Sequence, residues 1–372
     1  MHKLSKATFI LIALLLTGLA PLFAQHGHET EDETISATHE EQGFDAGEFV
    51  IDHVSDAYDY HIVSFGNTHI SIPLPVILYS KHPEWHGGKS FHVFMSSKFH
   101  HQHADYKGFR ISEEKMYDGK IVELDASGKE IGKPFDLSIT KTVAGIFVSV
   151  ILLFTVLFSV RRMMKKNEGK APKGIQNIVE PIILFIRDEV AKPTIGDKKY
   201  EKFMPFLLTL FFFILANDLL GLIPFAPFSA NVTGNIAVTM VLALFTFAIT
   251  TINGNKHYWK EIYNPDVPWW LKYPIPLMPI VELTGVITKP FVLMIRLFAN
   301  MLAGHMIVAV FISLIFVFNS LMGPAAGYAI SPVSVGFSVF ILLLDVLVSF
   351  IQAYVFTLLS ALYFGMATTD HH

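Results

Sequence analysis

Two apolar stretches near the C-terminus, Ile275 to Ser320 and Val333 to Ala367, are each too long to stand upright in a bilayer. Helical throughout, the first would run roughly 69 Å at 1.5 Å per residue. The hydrocarbon core of a membrane is only about 30 Å thick. Splitting it into two spans would need a polar turn near its middle, where the strongly polar residues are only Arg296 and Asn300. The expectation is therefore one steeply tilted helix, bent locally near Pro290 or Gly304. Such a tilt exceeds the usual range, so a partner must hold it. The second stretch is that partner, and the two form a sloping hairpin.

Three further apolar regions precede the hairpin: Thr142 to Val160, Phe203 to Phe225 and Ile236 to Ile252. With 52% hydrophobic residues and 16% charged, the chain reads as a polytopic membrane protein rather than a soluble one. The fold class expected is all-α with five crossings. Arg161, Arg162, Lys165, Lys166, Lys170 and Lys173 come directly after the first span, which places that end in the cytoplasm. The loop 253–274 carries Lys256, Lys260 and Lys272 and lies on the same side. The connections 226–235 and 321–332 carry no charge and lie outside, so the chain ends inside. Between the first two spans, Ile178, Val179, Ile182, Ile183 and Ile186 recur at helical spacing with charges interleaved, an amphipathic helix over 175–190 on the cytoplasmic surface.

The N-terminal third differs. Lys3 and Lys6, the apolar run Phe9 to Leu19 and the close Leu22-Phe23-Ala24 read as a signal peptide over 1–24; the alternative is an uncleaved anchor. Either one exports the residues beyond it. Residues 25–48 are acidic and read as a disordered linker. Residues 49–138 alternate apolar and polar at His61 to Phe65 and His69 to Ile72, with a hairpin pattern from Lys120, which makes a small β-rich extracytoplasmic domain. Residues 139–372 are the membrane domain. There is no cysteine, which excludes disulfides, thiolate metal sites and cysteine nucleophiles. With a net charge of −4 and no basic stripe, nucleic acid is not an expected partner.

The chemistry concentrates in the hairpin. Arg296 cannot be deprotonated, and a charge at mid-membrane costs roughly 2.5–3.5 kcal/mol on insertion scales. It sits near an interface, or it holds a charge that ion traffic needs. On a helix, Arg296, Ala299, Asn300 and Ala303 share one face: a fixed cation, an amide and two small residues that let another surface come close. That face suits a partner carrying negative charge within the membrane. His305 is nine residues on, about half a turn away, on the opposite face. On the last helix Asp345, Ser349 and Gln352 form one stripe, and Asp345 is the only acid in 333–367. A lone carboxylate in lipid needs a partner; His305 is the natural one, Arg296 the structural alternative. Gln352 is part of the path or a plain interhelical hydrogen-bonder. Glu282 adds a carboxylate about 40° off the Arg296 face, and Asp218 another near the end of the second span.

These residues resemble subunit a of the F-type ATP synthase over roughly 140–370. The specific segments are Lys289 to His305, Asp218 to Pro224, Asn231 to Asn235 and Phe350 to Phe356. The resemblance places Arg296 on the family's essential arginine and implies five crossings with a tilted terminal hairpin. It also implies a non-catalytic stator subunit that forms two proton half-channels against a rotating c-ring and couples proton flow to ATP synthesis. The partners implied are the c-ring, the peripheral-stalk b subunits, the remaining synthase subunits and the lipid bilayer, with no cofactor and no metal. The location implied is a bacterial inner membrane, with the N-terminal domain periplasmic and the C-terminus cytoplasmic. Many bacterial members carry Glu and then a later His where this chain has His305 and Asp345, so the residue types are exchanged and the acid–imidazole pair is kept. Asp218 stands where the family commonly has Asn. The path residues expected are Arg296, Asn300, His305, Asp345, Gln352, Glu282 and Asp218, with Ala299 and Ala303 facing the rotor.

The alternative is a stand-alone ion or metal transporter. Twelve of the 17 histidines lie in 25–110, including His26-Gly27-His28 and His100-His101-Gln102-His103, and such clusters can bind zinc or copper. Surface histidines of an exported domain are the simpler reading.

Overall fold

A computed structural model describes residues 47, 50–51 and 55–368, apart from 66–67, 87, 100–104, 113, 115–116, 118, 126, 168–170, 224–227, 229 and 264–276. The signal peptide, the acidic linker and both histidine clusters named above lie outside the described residues.

Among the described residues, eight strands are followed by eight α-helices, so the all-α membrane part with a small β domain is the fold observed. All strand pairs are antiparallel. β1 (Asp59–Phe65) pairs with β2 (Thr68–Pro73). β3 (Pro75–Tyr79) lies between β4 (Phe91–Met95) and β8 (Phe135–Asp136). β6 (Ile121–Leu124) lies between β5 (Phe109–Ile111) and β7 (Glu130–Gly132). Val76, Leu78, Phe94, Phe99, Phe109, Ile111 and Ile121 make the domain core.

The domain is tied to the membrane part at the start of α1 (Lys141–Lys166). Thr140 caps that helix by accepting from Val143 N–H at 3.4 Å. Asp56 reaches across from the β domain and accepts from Thr142 N–H at 2.9 Å. A carboxylate against a helix N-terminus satisfies an orphan donor and opposes the helix dipole. The Tyr60 hydroxyl donates to Lys141 O at 3.1 Å, and burial, with the nearby Asp56 charge second, pushes its phenol up to about 12. It stays a donor at any working pH.

Among the described residues, four helices are long and apolar enough to cross a membrane: α1, α4 (Tyr200–Gly221), α7 (Leu277–Met322) and α8 (Pro324–Thr368). A fifth, α5 (Ile236–Ile252, 17 residues), leads through a 105° bend into α6 (Lys256–Tyr263). α4 is buried all round, with Phe211 to Leu215 each below 8% exposed; such a helix belongs at the centre of a bundle. The amphipathic segment is α2 (Gln176–Phe185), a π-helical turn (Ile186–Ala191) and α3 (Lys192–Ile195). In it Asp188 is bonded by Arg187 and Lys192, which hold its carboxyl well below the usual range.

The terminal hairpin differs from expectation at its turn. Residues 321–332 form no loop. α7 runs to Met322, Gly323 turns the chain at φ 84°, and Pro324 opens α8. Pro at the first position of a helix loses nothing, since its missing N–H is an orphan there, and glycine accepts the left-handed turn. The Gly- and Pro-bearing run that reads as a connection therefore lies almost wholly within helix. α7 is 46 residues and continues through Pro290. The two helices meet at successive levels: Asn319 beside Gly327, Phe311 stacked on Phe337 at 5.3 Å, Gly304 against Asp345, and Lys289 Nζ over Tyr363 at 5.7 Å. At the far end of α8, Lys199 Nζ and Asn255 Nδ2 both donate to Thr368 O, at 2.5 and 3.0 Å. They satisfy a carbonyl that a helix C-terminus leaves orphaned.

Candidate functional site

The outward face of α7 carries the fixed charge. Arg296, Ala299 and Ala303 are exposed and Asn300 is half-buried, while Leu293, Leu297 and Met301 on the opposite side are buried in the hairpin and bundle. Leu293, Leu297 and Met301 recur at helical spacing on the inward side, and the arginine and alanines lie on the side turned out. Exposed Phe291, Val292 and Ile295 continue the same surface.

Behind that face, polar groups line up across three helices. Asp218, fully buried near the end of α4, accepts from the Thr233 hydroxyl at 2.5 Å, and its other oxygen has no partner. One turn on, the Gly221 carbonyl meets His305 Nε2 at 3.3 Å. The second ring nitrogen of His305 meets Met301 O at 3.0 Å. Next to His305 on α7, Gly304 is buried against Asp345 of α8: a Cβ placed there would lie 2.6 Å from Asp345 Oδ2. That oxygen is buried without a partner as well. Buried carboxylate oxygens lacking donors are where a proton or a water belongs.

The expected His305–Asp345 pair does not form: Asp345 packs on Gly304, the residue before His305. The imidazole turns toward the α4 carbonyl, since two backbone acceptors fix its ring, and the carboxylate packs on the glycine beside it. Ser349 is fully buried and donates to Asp345 O, and Gln352 is buried on the same stripe. Equal rise from the Gly304 and Lys289 levels sets Arg296 opposite about residues 353–356, one turn from Gln352. Glu282 lies half-buried near the start of α7.

Towards that same start, a narrow cleft is lined by Thr246, Thr250, Tyr258, Lys289 and Tyr363. Lys289 is seven residues from Arg296, about 10 Å along the helix. His305 is nine residues away in the other direction. Two sets of polar groups therefore straddle Arg296 along α7, one leading to Asp218 and Thr233, the other to Tyr258 and Lys289. Sequence reasoning missed Thr233, Gly304 and the cleft residues. Thr233 lies within the Asn231 to Asn235 segment singled out above, but a threonine gives no sign of its role without the carboxylate it meets.

A family model described as ATP synthase A chain matches residues 143–365. The chain belongs to this family. A second model, for a domain of unknown function, matches residues 49–139. Among relatives, ATP synthase subunit a of Chloroherpeton thalassium is 45% identical over 247 residues, covering 64% of this chain and 69% of the relative. ATP synthase subunit a 2 of Chlorobaculum tepidum is 46% identical over 246 residues, 64% and 66% of the two chains. ATP synthase subunit a of Myxococcus xanthus is 43% identical over 247 residues, 64% and 75%. Membership in the A chain family lends nothing to the transporter alternative, and among the described residues no group of three His, Asp or Glu side chains is placed to hold a metal.

The buried Asp218–Thr233 bond makes position 218 testable. Asp218→Asn keeps an acceptor for Thr233 and is expected to assemble normally, with pumping reduced only a few-fold. Asp218→Leu strands the buried Thr233 hydroxyl, a penalty of about 1–3 kcal/mol, and is expected to lower assembly too. Immunoblots of membranes paired with acidification rates separate the two; equal behaviour of both variants would remove Asp218 from the path.

Proposed function

We propose that this chain is the proton-translocating stator subunit of an F-type ATP synthase, non-catalytic itself, and that its Arg296 face meets the c-ring. The observation that carries the reading is the exposed Arg296–Ala299–Ala303 face with polar groups on either side of it along α7. A ring carboxylate arriving at Arg296 is attracted in its ionised form, because an adjacent cation favours the charged state. Protons reach the ring from outside along Thr233, Asp218, His305 and Asp345. They leave on the cytoplasmic side through the cleft of Lys289 and Tyr363, with Gln352 and Asn300 beside the arginine and Glu282 near the inner mouth. Arg296 separates the two routes: a fixed cation repels a proton moving directly between them. Each charge moved yields about 2.3 kcal/mol per 100 mV, so several must pass for each ATP formed elsewhere in the complex.

Topology supports this direction. The basic cluster after α1 sets that end in the cytoplasm, which leaves the β domain periplasmic in a bacterial inner membrane. Five crossings then return the C-terminus to the cytoplasm. The c-ring, the peripheral-stalk b subunits and the other synthase subunits are the partners. Imidazole in the path suits protons rather than sodium.

The native chain has no cysteine, so contact with the ring can be read directly. Ala303→Cys is expected to form a disulfide with a cysteine placed one turn from the ring carboxylate. ATP-driven rotation should then stop, and reductant should restore it. Absence of cross-linking from both Ala299→Cys and Ala303→Cys would sink the assignment of this face to the rotor.

A further inference from the structure

Among the described residues nothing covers one sheet face of the exported domain, and its chemistry is graded. On the sheet β4-β3-β8, the inner residues Val76, Leu78 and Phe94 form the core while their neighbours point out. The outer face begins with an aliphatic band. Val93 is opposite Ile77, and Leu137, whose N–H bonds Ile77 O, lies on the far side of β3. Val93 is 55% exposed and Leu137 44%. The next band is aromatic: Phe91, Tyr79 and Phe135 are directly paired across the three strands, all three 45% exposed or more. Two residues beyond the aromatic band, the segments flanking the three strands carry lysines: Lys89, Lys81 and Lys133. Lys81 and Lys89 are exposed, and Lys133 leans over Tyr117 at 5.1 Å.

The aliphatic end of this face is the end attached to the membrane part. Ile139 N–H bonds Pro75 O, and α1 starts two residues later at Lys141. Leu74, just before β3, packs against the membrane-domain cluster. Phe135 is six residues from Lys141, so the aromatic band lies within about 20 Å of the start of the span. Aliphatic, aromatic, then lysine is the order in which a bilayer passes from hydrocarbon through its interface to anionic phosphates. Aromatic rings and lysine stems suit that boundary, one part apolar and one part wet.

We propose that this face lies on the outer leaflet of the membrane, its aliphatic and aromatic side chains in the interface and its lysines on anionic lipid headgroups. The β domain is thereby held beside α1 with its strands running into the interface, the aliphatic end deepest and the lysines at the headgroups. Lipid is the occupant favoured over a second protein because the gradient runs away from the attachment point on all three strands, whereas protein partners impose no such order.

This chain has no native cysteine, so the test uses a complex whose other subunits are made cysteine-free. Nitroxide labels are placed at Val93→Cys, at Leu137→Cys and at Lys129→Cys, the last on the exposed β6–β7 hairpin, in the full chain within the purified complex in nanodiscs containing phosphatidylglycerol. Power saturation compares collisions with oxygen and with a water-soluble nickel chelate. At Val93 and Leu137 nickel collisions should fall about tenfold relative to Lys129, with oxygen collisions retained, as for side chains immersed several ångströms in an interface. Reversing the charges together (Lys81→Glu, Lys89→Glu, Lys133→Glu) should return both labels to nickel access, since each lysine near an anionic surface is worth roughly fivefold in binding. Nickel access at Val93 equal to that at Lys129 would overturn the proposal. So would shielding from both quenchers, which means a protein covers the face. Exclusion that survives charge reversal would overturn the anionic lipid as occupant.

Discussion

Arg296→Ala in the assembled complex is expected to abolish ATP-driven acidification of inverted vesicles, to below about one-hundredth of the native rate. The cause is electrostatic. In an apolar site an ion pair that loses one partner strands the other, at roughly 3–5 kcal/mol, and each 1.4 kcal/mol is about tenfold in a rate or equilibrium. A ring carboxylate that meets no cation has no reason to release its proton there, so the ring stalls protonated or carries protons straight back. Passive proton leak should rise at the same time, because the cation between the two routes is gone. Arg296→Lys keeps the charge but not the forked donor, and Lys can shed its proton when buried, so it should retain only a small part of the rate. The assay is run in sodium-free buffer, with bound ATPase activity measured to show that the complex is intact. Pumping above about a tenth of native in Arg296→Ala would make the arginine structural, since a tenfold loss answers to only about 1.4 kcal/mol.

Much of this was legible in the sequence because lipid is a severe solvent. Apolar length alone demands helices, and the excess length of the last two stretches demands a tilted hairpin. The rotation of α7 was legible for the same reason: Arg296, Ala299 and Ala303 break the apolar pattern on one side, and that side is the one left exposed. The turn of the hairpin was not legible. Glycine and proline in 321–332 usually mark loops, yet Pro324 sits at the first position of α8, where its missing N–H costs nothing, and the helices continue until Gly323 alone reverses the chain. The partner of His305 was not legible either, because periodicity reports faces and not rotamers. Asp345 packs on Gly304, the chain neighbour of His305, but the ring is claimed by the Gly221 and Met301 carbonyls. Backbone acceptors carry no residue signature, so no reading of side-chain types would find them. The apolar face of the β domain was invisible for a different reason: an alternating strand does not say which of its two faces a neighbour covers.

Gly304→Val is expected to cost nearly as much pumping as loss of a path residue, without removing any polar group. At Gly304 a Cβ alone would stand 2.6 and 2.7 Å from the two Asp345 carboxylate oxygens, closer than real side chains come. The Asp345 carboxylate, whose Oδ2 has no hydrogen-bond partner, is the group that must swing aside, because α7 is held to α4 through His305 and Gly221. Overpacking of this kind costs about 1–3 kcal/mol, and here it acts where the carboxylate packs on the residue preceding His305. The two helices part, Asp345 shifts away from His305, and proton transfer between α4 and α8 loses a step. Pumping should fall about tenfold or more, as about 1.4 kcal/mol or above implies, while bound ATPase activity stays near native. Gly304→Ala should fall between the two. The control lies on the same helix: a Cβ at Gly285 meets nothing within 4 Å, so Gly285→Ala should pump normally and gain up to about 1 kcal/mol of helix propensity. Equal loss in Gly285→Ala and Gly304→Val would mean that α7 tolerates no substitution at either glycine. Normal pumping in Gly304→Val would remove the Asp345 contact from the proton path.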